Sequence, residues 1–364
     1  MPEQVPIAFV RAGRGWLGEG AVARVDFPAD DAYRQASSWW AGIRERLLAE
    51  RDGSGPVVAF GSFPFDSASP AGATLLVPER ARRVDGGLPR LGAGDAAALP
   101  VASVADGVMS PSDYLGAVER LRAAIVEGRL EKAVLARDVV VRPDGPVDLR
   151  ALVDSLAAAH PGAAVFCVDG LVGASPETLV TVHGGRVTAR VLAGTAGPGE
   201  GDALAASDKD RREHELAARS VTEALAPHVA GLTASEPYVL ALPHLTHLAT
   251  DVTAEISDGS DVLALVAALH PTAAVAGTPA QAALGWIREL EPGDRGRYAG
   301  PVGWVDSDGN GEWAIALRCA QRLPDGTFRA FAGAGIMADS VPELELAETG
   351  LKLRPILEAL RAVR

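Results

Sequence analysis

Residues 301–332 read PVGWVDSDGNGEWAIALRCAQRLPDGTFRAFA, and this stretch decides the fold. Two turn signals, DSDGNG at 306–311 and PDG at 324–326, divide it into apolar and β-branched segments. The spacing predicts a meander with strands over 313–321 and 327–331. Connections this short return the chain beside itself, so the pairing is antiparallel. Working outward, His183-Gly184-Gly185-Arg186 is a hairpin turn into a strand at 187–192, since paired glycines permit positive φ. Strands are also expected at 132–141 (KAVLARDVVV), 163–168 and 178–183. Ser110-Pro111-Ser112-Asp113 opens a helix carrying Leu115, Val118, Leu121 and Ile125, and Gly128 stops it. Further helices are expected at 36–49, 148–159, 206–230, 261–269 and 341–363. Hairpins mixed with helices favour antiparallel sheets covered by helices over a doubly wound parallel sheet.

The 364 residues suggest one large domain or two ordinary ones. Hydrophobic residues at 48% and charged residues at 22% permit a sizeable core. A formal net charge of −13 speaks against nucleic acid or an anionic membrane as the main partner. It does not speak against a local cationic pocket. Cys167 and Cys319 are too few for a disulfide framework or a four-thiolate metal site. No apolar run is long enough to span a bilayer, and the N-terminus lacks the basic region of a signal peptide. A soluble, cytoplasmic protein is expected. Within the first hundred residues only strands at 57–60 and 73–77 and the helix at 36–49 are legible. The Gly-, Ala- and Pro-rich segment 86–100 is the best candidate boundary. No internal repeat is visible.

Several patterns are decoys. Gly13-Arg14-Gly15-Trp16-Leu17-Gly18 fits a dinucleotide-binding spacing, but 19–26 is not a convincing helix, so a glycine-rich turn is expected. GTAGPGEG at 194–201 lacks the Gly-Lys-Ser/Thr ending of a phosphate loop. His214-Glu215 has no second histidine four residues on. His244 and His247 have no ligand-spaced partner. No nucleophile elbow is present.

Three carboxylate features remain. Glu213 opens a charged helix, where acids suit the dipole whatever their function. Glu345 and Glu348 share a face of the last helix, and Glu348 is placed to pair with Lys352. Glu177 follows Ala174-Ser175-Pro176. Singly, each has a plain structural explanation. Together, hard oxygen ligands from two helices suit Mg²⁺, which binds through a few carboxylates, waters and an anionic substrate. The glycines of FAGAGI at 331–336 permit close approach of a ligand. Arg318, in an apolar strand, is costly to bury without an anion.

With these residues on the page, the sequence resembles the chorismate-utilising enzymes over about residues 110–364. The ordered motifs are EKAVLAR at 131–137, GASPE at 173–177, LAGT at 192–195 and KDRREH at 209–214. HLAT at 247–250, HPT at 270–272, YAG at 298–300, ALRC at 316–319 and AGAGI at 332–336 follow, then Glu345, Glu348 and Lys352. The resemblance implies an α+β fold: one domain over 1–364, two packed, mainly antiparallel sheets with helices outside and the site between them. Residues 1–105 would be its divergent portion and 106–364 its catalytic core. It implies Mg²⁺ on Glu213 and Glu348, with Glu345 near it. Arg318, Gly333 and Lys352 would hold the enolpyruvyl carboxylate of chorismate. Gly194, His247, Thr250, Ala274 and Tyr298 would complete the substrate pocket. Lys132 would be the general base toward water, and so must be neutral. Glu177 would be the general acid toward the C4 hydroxyl, and so must stay protonated.

Among sister activities, Lys132 stands where ammonia-using anthranilate synthases usually carry Gln. Ala274 stands where aminodeoxychorismate synthases carry a nucleophilic Lys and salicylate synthases a Thr. Phe331 also departs from the polar residue of salicylate synthases. Isochorismate synthase is therefore expected, with salicylate synthase as the alternative. A non-catalytic paralogue is disfavoured because base, acid and metal ligands are all present. The destination of the product, menaquinone or a siderophore, stays open, and a monomer is expected. One departure is Ala196-Gly197-Pro198-Gly199 after Thr195, where the family usually has Arg-Pro-Arg.

Overall fold

The meander at 301–332 forms, but it is divided between two sheets. The computed structural model describes residues 5–50, 56–86, 99–241 and 246–363. Pro301–Asp306 and Gly311–Ile315 pair in a 10-stranded sheet, while Cys319–Arg322 and Phe328–Ile336 pair in an 11-stranded one. Residues 316–318 carry the chain across, and Arg318 adopts φ 51, which no strand ladder accommodates. The single strand expected at 313–321 is therefore corrected, and Arg318 lies in a crossing rather than in a strand.

The 11-stranded sheet runs from Ala362–Val363 through Ala102–Asp106, Lys132–Pro143, Phe328–Ile336, Cys319–Arg322, Leu171–Ser175 and Ala164–Val168 to Ile7–Arg11, Arg14–Glu19 and Arg80–Asp85. Gly277–Thr278 pairs off Lys132–Pro143. The 10-stranded sheet runs from Val229–Ala234 through Thr246–Ile256, Arg186–Ala196, Thr178–His183, Gly311–Ile315, Pro301–Asp306, Val58–Ser62 and Ala73–Val77 to Ala23–Phe27. Tyr238–Ala241 lies off Thr246–Ile256. Pairing is antiparallel except where Ala362–Val363 runs parallel to Ala102–Asp106.

Side chains alternate faces along each strand, and that alternation builds the layers. In Phe328–Ile336, Phe331 points into the core that also holds Phe9 and Phe166 of its own sheet and Phe60, Val180 and Trp313 of the other. Phe328, Ala330 and Ala332 point outward against Leu152 and Leu156 of one helix and Leu353 and Ile356 of another. The neighbouring strand behaves alike. Ala133 and Leu135 face out onto the helix Pro111–Val126, which leaves Lys132 and Val134 facing in. That helix starts with a capping box between Ser110 and Asp113, and Gly128, at φ 75, follows its end.

Other expectations need correction. The helix expected at 206–230 is two, Gly201–Ala206 and Asp208–Leu225, because Ser207 caps the second through its hydroxyl. Beyond Leu225 the chain becomes the strand Val229–Ala234. The last helix ends at Ala359, and Arg361 at φ 52 turns the chain into the strand Ala362–Val363. The strand Leu171–Ser175 carries no alternation and was not expected. The glycine-rich turn expected at 13–18 is confined to Ala12-Gly13, and Arg14–Glu19 is a strand paired with Ile7–Arg11. The N-terminal residues do not stand apart: Phe9 pairs with Phe166 in one sheet, and Phe60 with Trp304 in the other. Residues 87–98 of the candidate boundary, and His244, lie outside the described residues.

Candidate functional site

Of the places where the chain crosses between the sheets, two are bonded to each other, the first being residues 316–318. The second crossing is Pro176-Glu177, between Leu171–Ser175 and Thr178–His183. Ala174 N donates to Arg318 O at 3.3 Å, and Ile315 N donates to Glu177 O at 3.3 Å. Glu177 and Arg318 are thereby brought to one cavity between the sheets. From the 11-stranded sheet, Val134, Gly333 and Gly335 line it. From the other come Leu192, Thr195 and His247. Ala274, Tyr298, Glu213 and Lys352 complete the lining from helices and connections.

Three lysine–glutamate pairs gather here. Lys132, fully buried at the start of its strand, has Nζ 3.0 Å from Glu213 Oε1, off the direction of a hydrogen bond. Lys209 Nζ donates to Glu345 Oε1 at 2.9 Å. Lys352 Nζ lies 2.5 Å from Glu348 Oε1 and donates to Gly333 O at 3.1 Å. Each carboxylate thus has its own lysine. Among the described residues no three carboxylate, imidazole or thiol groups converge on one point. Burial works against charge on Glu213, but Lys132, with Lys352 and Lys209 further off, outweighs it and holds the carboxyl below its usual range. Glu348 goes the other way: burial, joined by repulsion from Glu345 and Glu213, pushes it up despite Lys352. Close approach depends on Gly335, since a Cβ there would lie 2.4 Å from Glu213 Oε1 and 3.0 Å from Lys132 Cε.

The remaining groups are set up differently. Burial pushes the Glu177 carboxyl up to about 7, although Arg318, Lys132 and Lys352 pull the other way. Arg318 is 8% exposed, and among the described residues its guanidinium has neither a hydrogen bond nor an ion pair. Burial holds it below the ordinary guanidinium value. With the three pairs mutually neutralised, Arg318 is the uncompensated charge on the cavity wall. His247 is pushed down to about 3 by burial, with Arg318 and Lys352 adding to it, and is therefore neutral. Its Nδ1 is within 3.3 Å of Gly194 O and 3.1 Å of Thr195 Oγ1, while its buried Nε2 has no partner. Gly194 makes this contact at a bulge, with φ 74. Tyr298 stacks on Phe331 with ring centroids 5.2 Å apart.

Two features depart from expectation. Lys132, Thr250, Glu345 and Glu348 are not among the residues that line the cavity; Lys132, Glu345 and Glu348 lie behind it in the lysine–glutamate pairs, while Thr250 Oγ1 is 2.8 Å from His214 Nε2, and His214 Nδ1 lies 3.3 Å from Ala193 O. This contact ties the helix bearing Glu213 to two strands. The loop lacking Arg-Pro-Arg closes on itself instead, with Gly197 N donating to Glu200 Oε2 at 2.7 Å. Sequence reading also missed Glu291 and Arg295, whose only signal is an i,i+4 spacing across a helix end. Arg295 donates to Glu291 Oε1 at 2.5 Å, Val134 O at 2.6 Å and Val275 O at 3.1 Å, holding two cavity-lining segments.

Comparison with known proteins agrees with this architecture. The family model of the chorismate binding enzymes matches residues 95–361. A Mycobacterium tuberculosis protein provisionally named isochorismate synthase MenF is 40% identical over 349 residues, 88% of this chain and 91% of that protein. The isochorismate synthase EntC of Escherichia coli is 35% identical over 366 residues, 96% of this chain and 93% of that protein. A crystal structure provisionally titled as the 2,3-dihydroxybenzoate-specific isochorismate synthase DhbC of Bacillus anthracis superposes with a TM-score of 0.86 at 32% identity, covering 98% of this chain and 96% of that one. Two antiparallel sheets with a charged cavity between them, the motifs in order along the strands and helices that line it, and these matches over most of the length establish that the chain belongs to the chorismate binding enzyme family.

Proposed function

We propose that this protein is an isochorismate synthase that interconverts chorismate and isochorismate with Mg²⁺. The observation that carries this reading is one cavity holding both an unpartnered, buried Arg318 and a Glu177 carboxyl pushed up to about 7. The first is a receptor for a carboxylate. The second is an acid still protonated near neutral pH, suited to a leaving hydroxyl. The names of the similar proteins support the same reading.

The donor set fits a hard cation. Glu213, Glu345 and Glu348 offer oxygen only, from two helices; burial pushes Glu348 up, and the repulsion from Glu345 and Glu213 that adds to it is what a divalent ion would relieve. When bound to Glu213 and Glu348, with Glu345 nearby, Mg²⁺ supplies positive charge toward the ring carboxylate of the substrate. Arg318, Lys352 and the backbone at Gly333 hold the enolpyruvyl carboxylate, which fixes the ring between base and acid. With Glu213 engaged by the cation, Lys132 is released from that pair and, as the free amine, takes a proton from the water that attacks ring C2. Glu177 gives a proton to the C4 hydroxyl, which leaves as water. One water enters and one leaves, so the net reaction is an isomerisation. Neutral His247 offers its free Nε2 as an acceptor for a substrate hydroxyl. Ala274, Leu317 and Tyr298, the last backed by Phe331, form an uncharged part of the wall.

The test is incubation of purified protein with chorismate and Mg²⁺, with chromatographic identification of products. Isochorismate alone is expected, and EDTA abolishes its formation. Salicylate with pyruvate would assign the sister activity instead. Turnover that needs ammonia, or that survives EDTA, would overturn the proposal.

A further inference from the structure

Of the three lysines in the carboxylate cluster, two have work in the reaction proposed above: Lys132 faces the attacking water and Lys352 a substrate carboxylate. Lys209 has none. It sits on the helix Asp208–Leu225, one turn before Glu213, with its side chain 27% exposed. Its Nζ reaches across to Glu345 on the helix Pro342–Ala359, whose side chain is only 4% exposed. These two helices are not packed side by side, so the contact is a bridge and not a by-product of helix packing. Among the described residues the Glu345 carboxylate has no other hydrogen-bond or ion-pair partner.

We infer that Lys209 is a built-in counter-ion that occupies Glu345 while the cluster lacks a divalent cation and competes with that cation for it. This inference rests on the Mg²⁺ reading of the cluster. The physical reason is charge balance. With Lys132, Lys209 and Lys352 in place, Glu213, Glu345 and Glu348 are neutralised pair by pair. A divalent ion entering that arrangement gains little net attraction and must separate at least one pair. Lys209 is the lysine best placed to give way, because its side chain is the most exposed of the three, at 27% against 14% for Lys352 and none for Lys132, and can be rehydrated as it leaves. The device keeps a buried carboxylate paired in the empty enzyme. It also sets how tightly the empty enzyme takes up the ion.

The experiment measures Mg²⁺ binding by calorimetry, without chorismate, to the full-length wild type, Lys209→Met and Lys209→Arg. Lys209→Met is expected to bind Mg²⁺ about tenfold more tightly than wild type, since one competing charge is gone. Lys209→Arg keeps the charge and is expected to stay within about twofold of wild type. In EDTA the melting temperature of Lys209→Met falls, and added Mg²⁺ raises it by more than it raises wild type. Mg²⁺ binding that is unchanged or weaker in Lys209→Met overturns the counter-ion role while leaving the Mg²⁺ site intact. The same binding change in Lys209→Arg overturns it too, because loss of geometry and not of charge would then be the cause. Absence of Mg²⁺ binding to wild type both with and without chorismate overturns the counter-ion role together with the metal reading beneath it.

Discussion

At Glu177 the decisive quantity is desolvation. Glu177 is 5% exposed, and burial pushes its carboxyl up to about 7 against the pull of Arg318, Lys132 and Lys352. The acid form is therefore present below that pH and is lost as pH rises through it. Turnover limited by this acid should fall on the alkaline side of about pH 7, and Glu177→Gln should lower kcat by about 10²–10⁴-fold. The same shift has a stability consequence of known sign. A folded-state value above the unfolded one means that the native state holds the extra proton between about 4.5 and 7, so ionisation at higher pH costs stability. Glu177→Gln should be more stable than wild type by roughly 1–3 kcal/mol at pH 8, with the gain vanishing at pH 4. Urea unfolding at both pH values checks this, and a gain independent of pH would refute the buried-acid account. Sequence supplied Glu177 as a motif residue. It did not supply the burial, which depends on which chain segments close over the crossing.

At the scale of elements, the site is assembled by devices that join one element to another. His214 fixes the helix of Glu213 to Ala193 and Thr250 on adjacent strands. Arg295 and Glu291 fix the end of the helix Ala280–Leu290 to the strand of Lys132. Glu291 accepts from Arg295 and from Ala136 N at 2.8 Å, and the guanidinium lies 4.1 Å over the ring of Phe65. Both charged side chains are almost wholly buried, so removing one leaves the other uncompensated. Glu291→Ala should lower stability by about 3–5 kcal/mol, read as a shift in the urea midpoint. A loss within about 0.5 kcal/mol would mean that the pair is incidental. Helices with caps were legible: Ser110, Asp148 and Asp261 all cap where the sequence placed helix starts. The Glu291–Arg295 pair was not, because its acceptors Val134 O and Val275 O are distant in sequence.

At the scale of the whole molecule, the N-terminal hundred residues are woven into both sheets. Ile7–Arg11 pairs with Ala164–Val168, and Val58–Ser62 with Pro301–Asp306, so each sheet continues through them. Phe9, Phe60 and Phe63 are fully buried in the shared core with Trp313. We expect that a chain of residues 106–364 alone does not fold. Removing the N-terminal strands would expose two sheet edges and the apolar surface those phenylalanines cover. The check is expression of that fragment with gel filtration and circular dichroism. A soluble, cooperatively melting fragment would show the catalytic core to be autonomous.

By itself the sequence determined the class of the fold and the residue types of the candidate site. Turn residues and two-residue periodicity are local, so DSDGNG and PDG announce antiparallel strands wherever they occur. The residue types at 132, 177, 213, 318, 345, 348 and 352 are chemically distinctive in the same way. Tertiary structure decided where the strand at 313–321 breaks and which lysine meets which carboxylate. It also decided that Thr250 serves His214 and not the cavity. Those outcomes depend on contacts between segments far apart in the chain. Burial of a charge, and the partner that offsets it, exist only once both sheets are in place.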